Sequence, residues 1–395
     1  MPLSSRPVLS LMLPLLLAAG AASATPRLPT SDAEVLERLP ARALDPRQRE
    51  MAELRRALAA QPGDLELALR LARRYYAEVA AEGDPRYIGY AQAALAPWWN
   101  LADPPVAARV MRAILLQFNH QFDPALADLQ AAVRAEPDNG EAWAWLAAIA
   151  MVRGDYALAR RACEQFAPQT TPAIAAGCLA HVDATTGQAS AAAASLRTAL
   201  HQDRDADPGE RLWALTRLAE IEDRRGQAAA AEAAYREALA LGITDGYLLA
   251  AYADYLLDHG RPAEVLVLLQ GRERSDLLLL RLALAAQATG DPRRAGWQAD
   301  LAARFEAARL RGDTVHQKEE SRFALHLLGD APRALALARE NYAVQREPAD
   351  ARILLEAAVA AHQPAAAEPV LAWMKTSGIE SPVLGGLAQQ LGSAK

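Results

Sequence analysis

A glycine followed by a polar residue or proline, and then by an alanine-rich stretch, recurs along this chain. The marks are Gly83-Asp84-Pro85, Gly154-Asp155-Tyr156, Gly187-Gln188, Gly226-Gln227, Gly260-Arg261-Pro262, Gly290-Asp291-Pro292 and Gly329-Asp330. From Gly154 onward the glycines fall 33, 39, 34, 30 and 39 residues apart. A period of this length is the mark of stacked supersecondary units. A single unit of this kind cannot bury its own apolar face, so neighbours stack and function moves to the surface of the stack.

Composition says what the units are made of. The chain is 52% hydrophobic but only 6% aromatic, so the core is built from Ala and Leu, which are strong helix formers. Long β-branched runs, which a sheet would want, are absent. The net charge of -6 comes with no basic patch, which argues against a nucleic-acid partner.

The amino terminus reads as a cleavable secretory signal over 1–24. Arg6 supplies the charge, Val8 to Ala19 the apolar run, and Ala22-Ser23-Ala24 the cleavage motif. The run is short and broken by Pro14, so no membrane span is expected once the signal is removed. The expectation is a periplasmic or secreted protein, cleaved after Ala24. Residues 25–44 form a proline-containing leader. Asp45-Pro46 then opens N-terminal helices and a first degenerate hairpin over 45–105. A central array spans 106–272, degenerate C-terminal hairpins span 273–391, and 392–395 is a tail.

Within the array the same slots recur. Ala125 and Leu129 precede Pro137. Trp143, Leu146 and Ala147 precede Gly154, followed by Ala159 and Cys163. Later copies carry Leu179-Ala180, Leu218-Ala219 with Ala231 and Tyr235, Tyr252-Ala253, and Leu282-Ala283, with weaker copies at Ala334, Ala338 and Leu355. The small residues let two helices approach closely, and the large ones fill the wedge between hairpins. His120 stands where a turn glycine is expected.

These slots resemble those of the tetratricopeptide-repeat (TPR) family over roughly residues 64 to 375. The resemblance implies an all-α fold: an α-solenoid of about nine TPR-like helical hairpins in a right-handed superhelix. It also implies a concave groove lined by the first helix of each hairpin, which holds a partner protein or peptide. Mapped onto this chain, the family pattern points Phe118, Met151, His181, Glu220, Asp223, Arg224, Asp254 and Asp258 into that groove. The middle of the groove would then be acidic and suited to a basic segment.

A few other residues are candidates for chemistry. Cys163 and Cys178 sit on the second helix of one hairpin and the first helix of the next. A disulfide between them is expected in an oxidising compartment, the alternative being two separate buried thiols. Asp203, Asp205 and Asp207 alternate like the start of a calcium loop. However, Pro208 replaces the required glycine and Ala214 the bidentate Glu, so a solvated, helix-capping loop is expected. Glu319 and Glu320 are adjacent and face different ways on a helix. Trp98-Trp99 is either a seal between the first hairpins or an aromatic anchor for a partner. No motif for a catalytic nucleophile, a nucleotide loop or a metal site is present, and no cofactor is expected. The leading expectation is a non-catalytic scaffold or adaptor. The alternatives are a subunit peripherally attached to a membrane assembly, a cell-wall enzyme with a solenoid body, and a small-ligand binding solenoid, which would need a closed apolar cavity.

Overall fold

A computed structural model of the protein describes Ser31 and residues 46–82, 84–203 and 206–393. Residues 1–30 and 32–45, where a signal and a leader are expected, and Gly83, Arg204, Asp205 and 394–395 lie outside the described residues. The chain divides into a segment Met1–Pro46 and a body Arg47–Lys395.

The body is all-α, with no strand among the described residues. Helix α1 (Pro46–Ala60) leads into the pair α2 (Leu65–Glu82) and α3 (Arg86–Ala94), and then the single turn α4 (Ala96–Trp99). Antiparallel pairs follow: α5 (Val106–Phe118) with α6 (Phe122–Ala135), α7 (Gly140–Arg153) with α8 (Tyr156–Phe166), and α9 (Pro172–Thr185) with α10 (Ala189–Gln202). Next come α11 (Pro208–Arg224) with α12 (Ala228–Ala240), α13 (Gly246–Asp258) with α14 (Pro262–Leu268), and α15 (Asp276–Thr289) with α16 (Arg294–Leu310). The last are α17 (Gln317–Phe323) with α18 (Ala331–Val344) and α19 (Pro348–Ala360) with α20 (Glu368–Ser377). Helix α21 (Pro382–Ser393) packs on α19. This is an α-solenoid of TPR-like hairpins.

The turn chemistry explains the punctuation. At Gly154 the backbone takes φ 77°, ends α7 in the left-handed conformation, and lets Asp155 accept the Leu158 amide at 2.9 Å to start α8. His120 does the same work with φ 55°, a region costly for a side-chain-bearing residue. Its ring stacks on Phe122 with centroids 5.5 Å apart. The uneven glycine spacing is absorbed by helix length. Helices α11 and α16 have 17 residues each, in the 39-residue intervals, and α14 has only 7, in the 30-residue interval.

The core follows the slots. Ala147, Ala180, Ala219, Ala253 and Ala283 on first helices are buried, as are Ala159, Ala231 and Ala334 on second helices. Leu146, Leu215, Tyr235 and Tyr252 fill the wedges. Three apolar clusters result, from Met51 to Val182, from Ala173 to Leu327, and from Ala324 to Leu391. Val344, at the end of α18, packs against the first of them, so the C-terminal hairpins return to the N-terminal ones.

Candidate functional site on the concave face

The connection between α18 and α19 is an extended strap, with Gln345 at φ -123°, ψ 138° and Glu347 at φ -82°, ψ 161°. It crosses the turns of the α5–α6 and α7–α8 hairpins. The Arg346 amide donates to the Val152 carbonyl at 2.8 Å, and Arg153 Nη1 reaches the Val344 carbonyl at 3.5 Å. Gln345 Nε2 donates to His120 Nε2 at 2.6 Å. An amide N–H can only donate, so the His120 ring must accept and be neutral. Burial, with Lys318 nearby, lowers the His120 pKa to about 4, in agreement.

The same closure continues along the stack. Trp373 Nε1 on α20 donates to the Tyr156 hydroxyl at 2.6 Å. The Ala189 amide donates to Glu380 Oε2 at 3.2 Å. Gly187, at φ 82°, lets the Gly378 carbonyl come within 3.0 Å of where a Cβ would stand, so only glycine fits this contact without a shift.

The acidic residues that the family pattern aims into the groove are already partnered. Asp254 accepts from Arg281 Nη2 at 2.6 Å and from Arg322 Nη2 at 3.0 Å. Burial alone would raise its pKa, but the two guanidiniums outweigh that and hold the carboxyl well below the usual range. Asp258 accepts from Arg352 Nη2 at 2.8 Å, and Arg352 Nε donates to Glu356 at 2.7 Å. Asp223 is pushed up by burial, with His259 Nε2 4.0 Å away. The middle of the groove is therefore a closed ion-pair interface with α17 and α19, and the expected open acidic surface is replaced by it. The reason is that Arg322 and Arg352, distant in sequence, supply the positive charge.

Deeper in, α9, α11 and α13 bring together a basic and aromatic group. Arg217, Glu220 and Arg224 share one face of α11 at i, i+3, i+7 spacing. Arg217 pairs with Glu220 at 2.8 Å, with its guanidinium 5.7 Å from the Trp213 ring centre and 5.8 Å from that of Tyr247. The Tyr247 hydroxyl donates to Glu220. Gly177 on α9 makes room for Trp213, whose ring lies 2.4 Å from where a Cβ would sit. Arg224 Nη1 is buried with no hydrogen-bond partner, and desolvation lowers its pKa. His181 is pushed well down by burial and by Arg217 and Arg224. Tyr247 keeps 51% of its surface exposed, yet desolvation pushes its hydroxyl well up.

The other singled-out residues fall elsewhere. Met151 is buried and Phe118 half-buried in the first apolar cluster. Trp98 and Trp99 are half-buried against the same cluster, and the Trp99 carbonyl accepts from Arg112 Nη1 at 2.7 Å. Cys163 and Cys178 are joined by a disulfide across α8 and α9. Asp207 caps α11 through the Gly209 amide at 2.8 Å. Glu320 pairs with Arg333, while Glu319 turns to Lys318, 3.8 Å away.

Sequence reasoning missed Arg217 and Tyr247. Arg217 was legible, because it lies one heptad before Arg224 on the same face. Nothing in the sequence pointed to Arg322, Arg346 or Arg352, whose partners lie 68 to 194 residues away.

No family model matches the chain, and no curated protein matches it in sequence. Among solved structures it is similar to a chain of the APC/C Cut9–Hcn1 hetero-tetramer, with 13% identity and a TM-score of 0.42, covering 79% of this chain and 52% of that one. It thus spans about half the length of that relative. It is also similar to human IFIT1 in a dimer with m7Gppp-AAAA, at 14% identity and a TM-score of 0.40, covering 88% and 86%. The TPR domain of P58(IPK) matches at 14% identity and a TM-score of 0.21, covering 88% and 93%. These likenesses concern the fold alone. No helix among the described residues is long and apolar enough to cross a membrane.

Proposed function

We propose that this protein is an exported, non-catalytic binding module whose concave face receives an extended segment of a partner protein. The observation that carries this reading is the strap at 344–347. The groove holds an extended stretch of backbone by main-chain hydrogen bonding, the Arg346 amide to the Val152 carbonyl at 2.8 Å. Main-chain hydrogen bonding is also how strand-binding sites hold extended peptides. In this arrangement the chain's own C-terminal hairpins occupy the face, and a partner binds there by replacing the strap. The joined Cys163–Cys178 pair supports an oxidising compartment, in keeping with the signal read at 1–24.

The test is site-specific photo-crosslinking in the native compartment. A photoreactive residue replaces Tyr247, which is 51% exposed and outside the ion pairs of the closure, in the otherwise wild-type mature protein and in an Arg322→Ala/Arg352→Ala variant that loosens the closure. One stoichiometric partner, captured in higher yield by the loosened variant, is the expected result. Equal capture by both would move the interface off the concave face. A complete lack of a partner would sink the adaptor reading.

A further inference from the structure

We propose that the pocket between α18 and α20 binds a small organic anion, Arg339 and Arg346 taking a carboxylate or phosphoryl group and Trp373 taking the apolar body. The pocket has a volume of about 380 Å³ and is lined by Arg339, Tyr342, Arg346, Leu354, Pro369 and Trp373, among others. That volume lies at the small end of ligand sites, which run from about 300 to 1,000 Å³. It suits a single-ring compound and is too small for a folded partner.

Charge selects the ligand class. Two guanidiniums line the pocket, and no carboxylate does. Neither guanidinium makes an ion pair or hydrogen bond with another side chain among the described residues. Planar guanidinium forks match carboxylate and phosphoryl oxygens two at a time. Arg339 and Tyr342 are three residues apart on α18 and share a face. The Tyr342 hydroxyl is buried without a hydrogen-bond partner. Buried hydroxyls are nearly always satisfied, so this one calls for an explanation, and a ligand oxygen supplies it after a small local shift.

The walls are held in advance. Arg346 is anchored by its amide on the Val152 carbonyl at 2.8 Å. Its Cδ lies 3.5 Å from where a Cβ on Gly154 would stand. Trp373 is pinned by its 2.6 Å hydrogen bond to Tyr156. Both anchors belong to the α7–α8 hairpin, so recognition needs little ordering of side chains on binding. Arg346 also belongs to the strap that the proposed partner would replace, so a bound anion would hold the strap in place and oppose that partner, while the titration below needs no partner and tests the pocket by itself.

The experiment is a titration of the mature full-length protein with phenyl phosphate, benzoate and benzylammonium, followed by tryptophan fluorescence and calorimetry at fixed ionic strength. Saturable binding of phenyl phosphate, benzoate or both is expected, with none for benzylammonium. Which anion binds more tightly tells a phosphoryl ligand from a carboxylate one. An Arg339→Ala/Arg346→Ala variant should lose at least tenfold in affinity. Arg339→Ala alone, at an exposed helix position, serves if the double variant is poorly folded and should lose at least threefold. The proposal is overturned if neither anion binds saturably, if benzylammonium binds as well as the anions, or if the variants bind as tightly as wild type.

Discussion

Helices α11 and α12 are each packed by the helix before and the helix after, with Ala and Leu filling the contacts. From α17 to α20 the same hairpins also lean on helices far upstream, through bonds spanning 68 to 225 residues. The first region behaves as a repeat array should, with stability summed over neighbours. The second is a clasp. Its contacts are mostly ion pairs, main-chain hydrogen bonds and single aromatic hydrogen bonds, and they tie the C-terminal hairpins to earlier ones. The repeat pattern alone predicts that the degenerate C-terminal hairpins melt separately. The clasp predicts one joint transition.

The sharpest way to break this comparison is Asp254→Ala. It leaves Arg281, which is buried, and Arg322 without their shared carboxylate, which costs about 3–5 kcal/mol. Chemical denaturation should show that loss, and the single transition should split into two. A single unchanged transition would mean that the clasp contributes nothing to cooperativity.

Next in size is the neighbour staple. Cys163→Ser with Cys178→Ser opens a loop of 15 residues, worth about 3 kcal/mol in the chain-entropy description. Here the expected change is a loss of stability with the transition still single, because the staple joins adjacent hairpins and leaves the clasp intact.

A smaller effect follows pH. The unfolded His120 ring takes up a proton as pH falls through about 6.5, while in the folded protein it stays neutral until about 4. The unfolded state therefore binds more protons across that window, and stability falls as pH drops from about 6.5 to about 4. From pH 6.5 to 5.5 this one residue accounts for about 1 kcal/mol. His120→Asn, which tolerates the left-handed backbone, should flatten that part of the stability–pH curve. An unaltered curve would show that His120 titrates alike in both states.

The smallest expected effect has the opposite sign. Arg224→Met removes a guanidinium with a buried, unpartnered nitrogen and should stabilise the protein by about 1 kcal/mol. A clear loss of stability would show that Arg224 is held by a favourable field, unlike its neighbours in the clasp.

The helical hairpins and their order were legible because they depend on local rules. Glycine and aspartate at turns, small residues where helices cross, and Leu or Tyr in the wedges all act within about one repeat. The same register places Glu220, Asp223, Arg224, Asp254 and Asp258 on first helices of their hairpins, α11 and α13. Which of them remain free was not legible. Asp254 and Asp258 meet arginines from α17 and α19, whereas Arg224 meets no acidic partner at hydrogen-bonding distance. That outcome depends on the curvature of the whole stack. Curvature sums small helix-crossing angles over many hairpins, and no single repeat encodes it. The sequence by itself determined an all-α stack of hairpins with an alanine-rich core. Only the tertiary structure decided that the stack closes on itself, because its strap, ion pairs and anion pocket join residues that no local pattern connects.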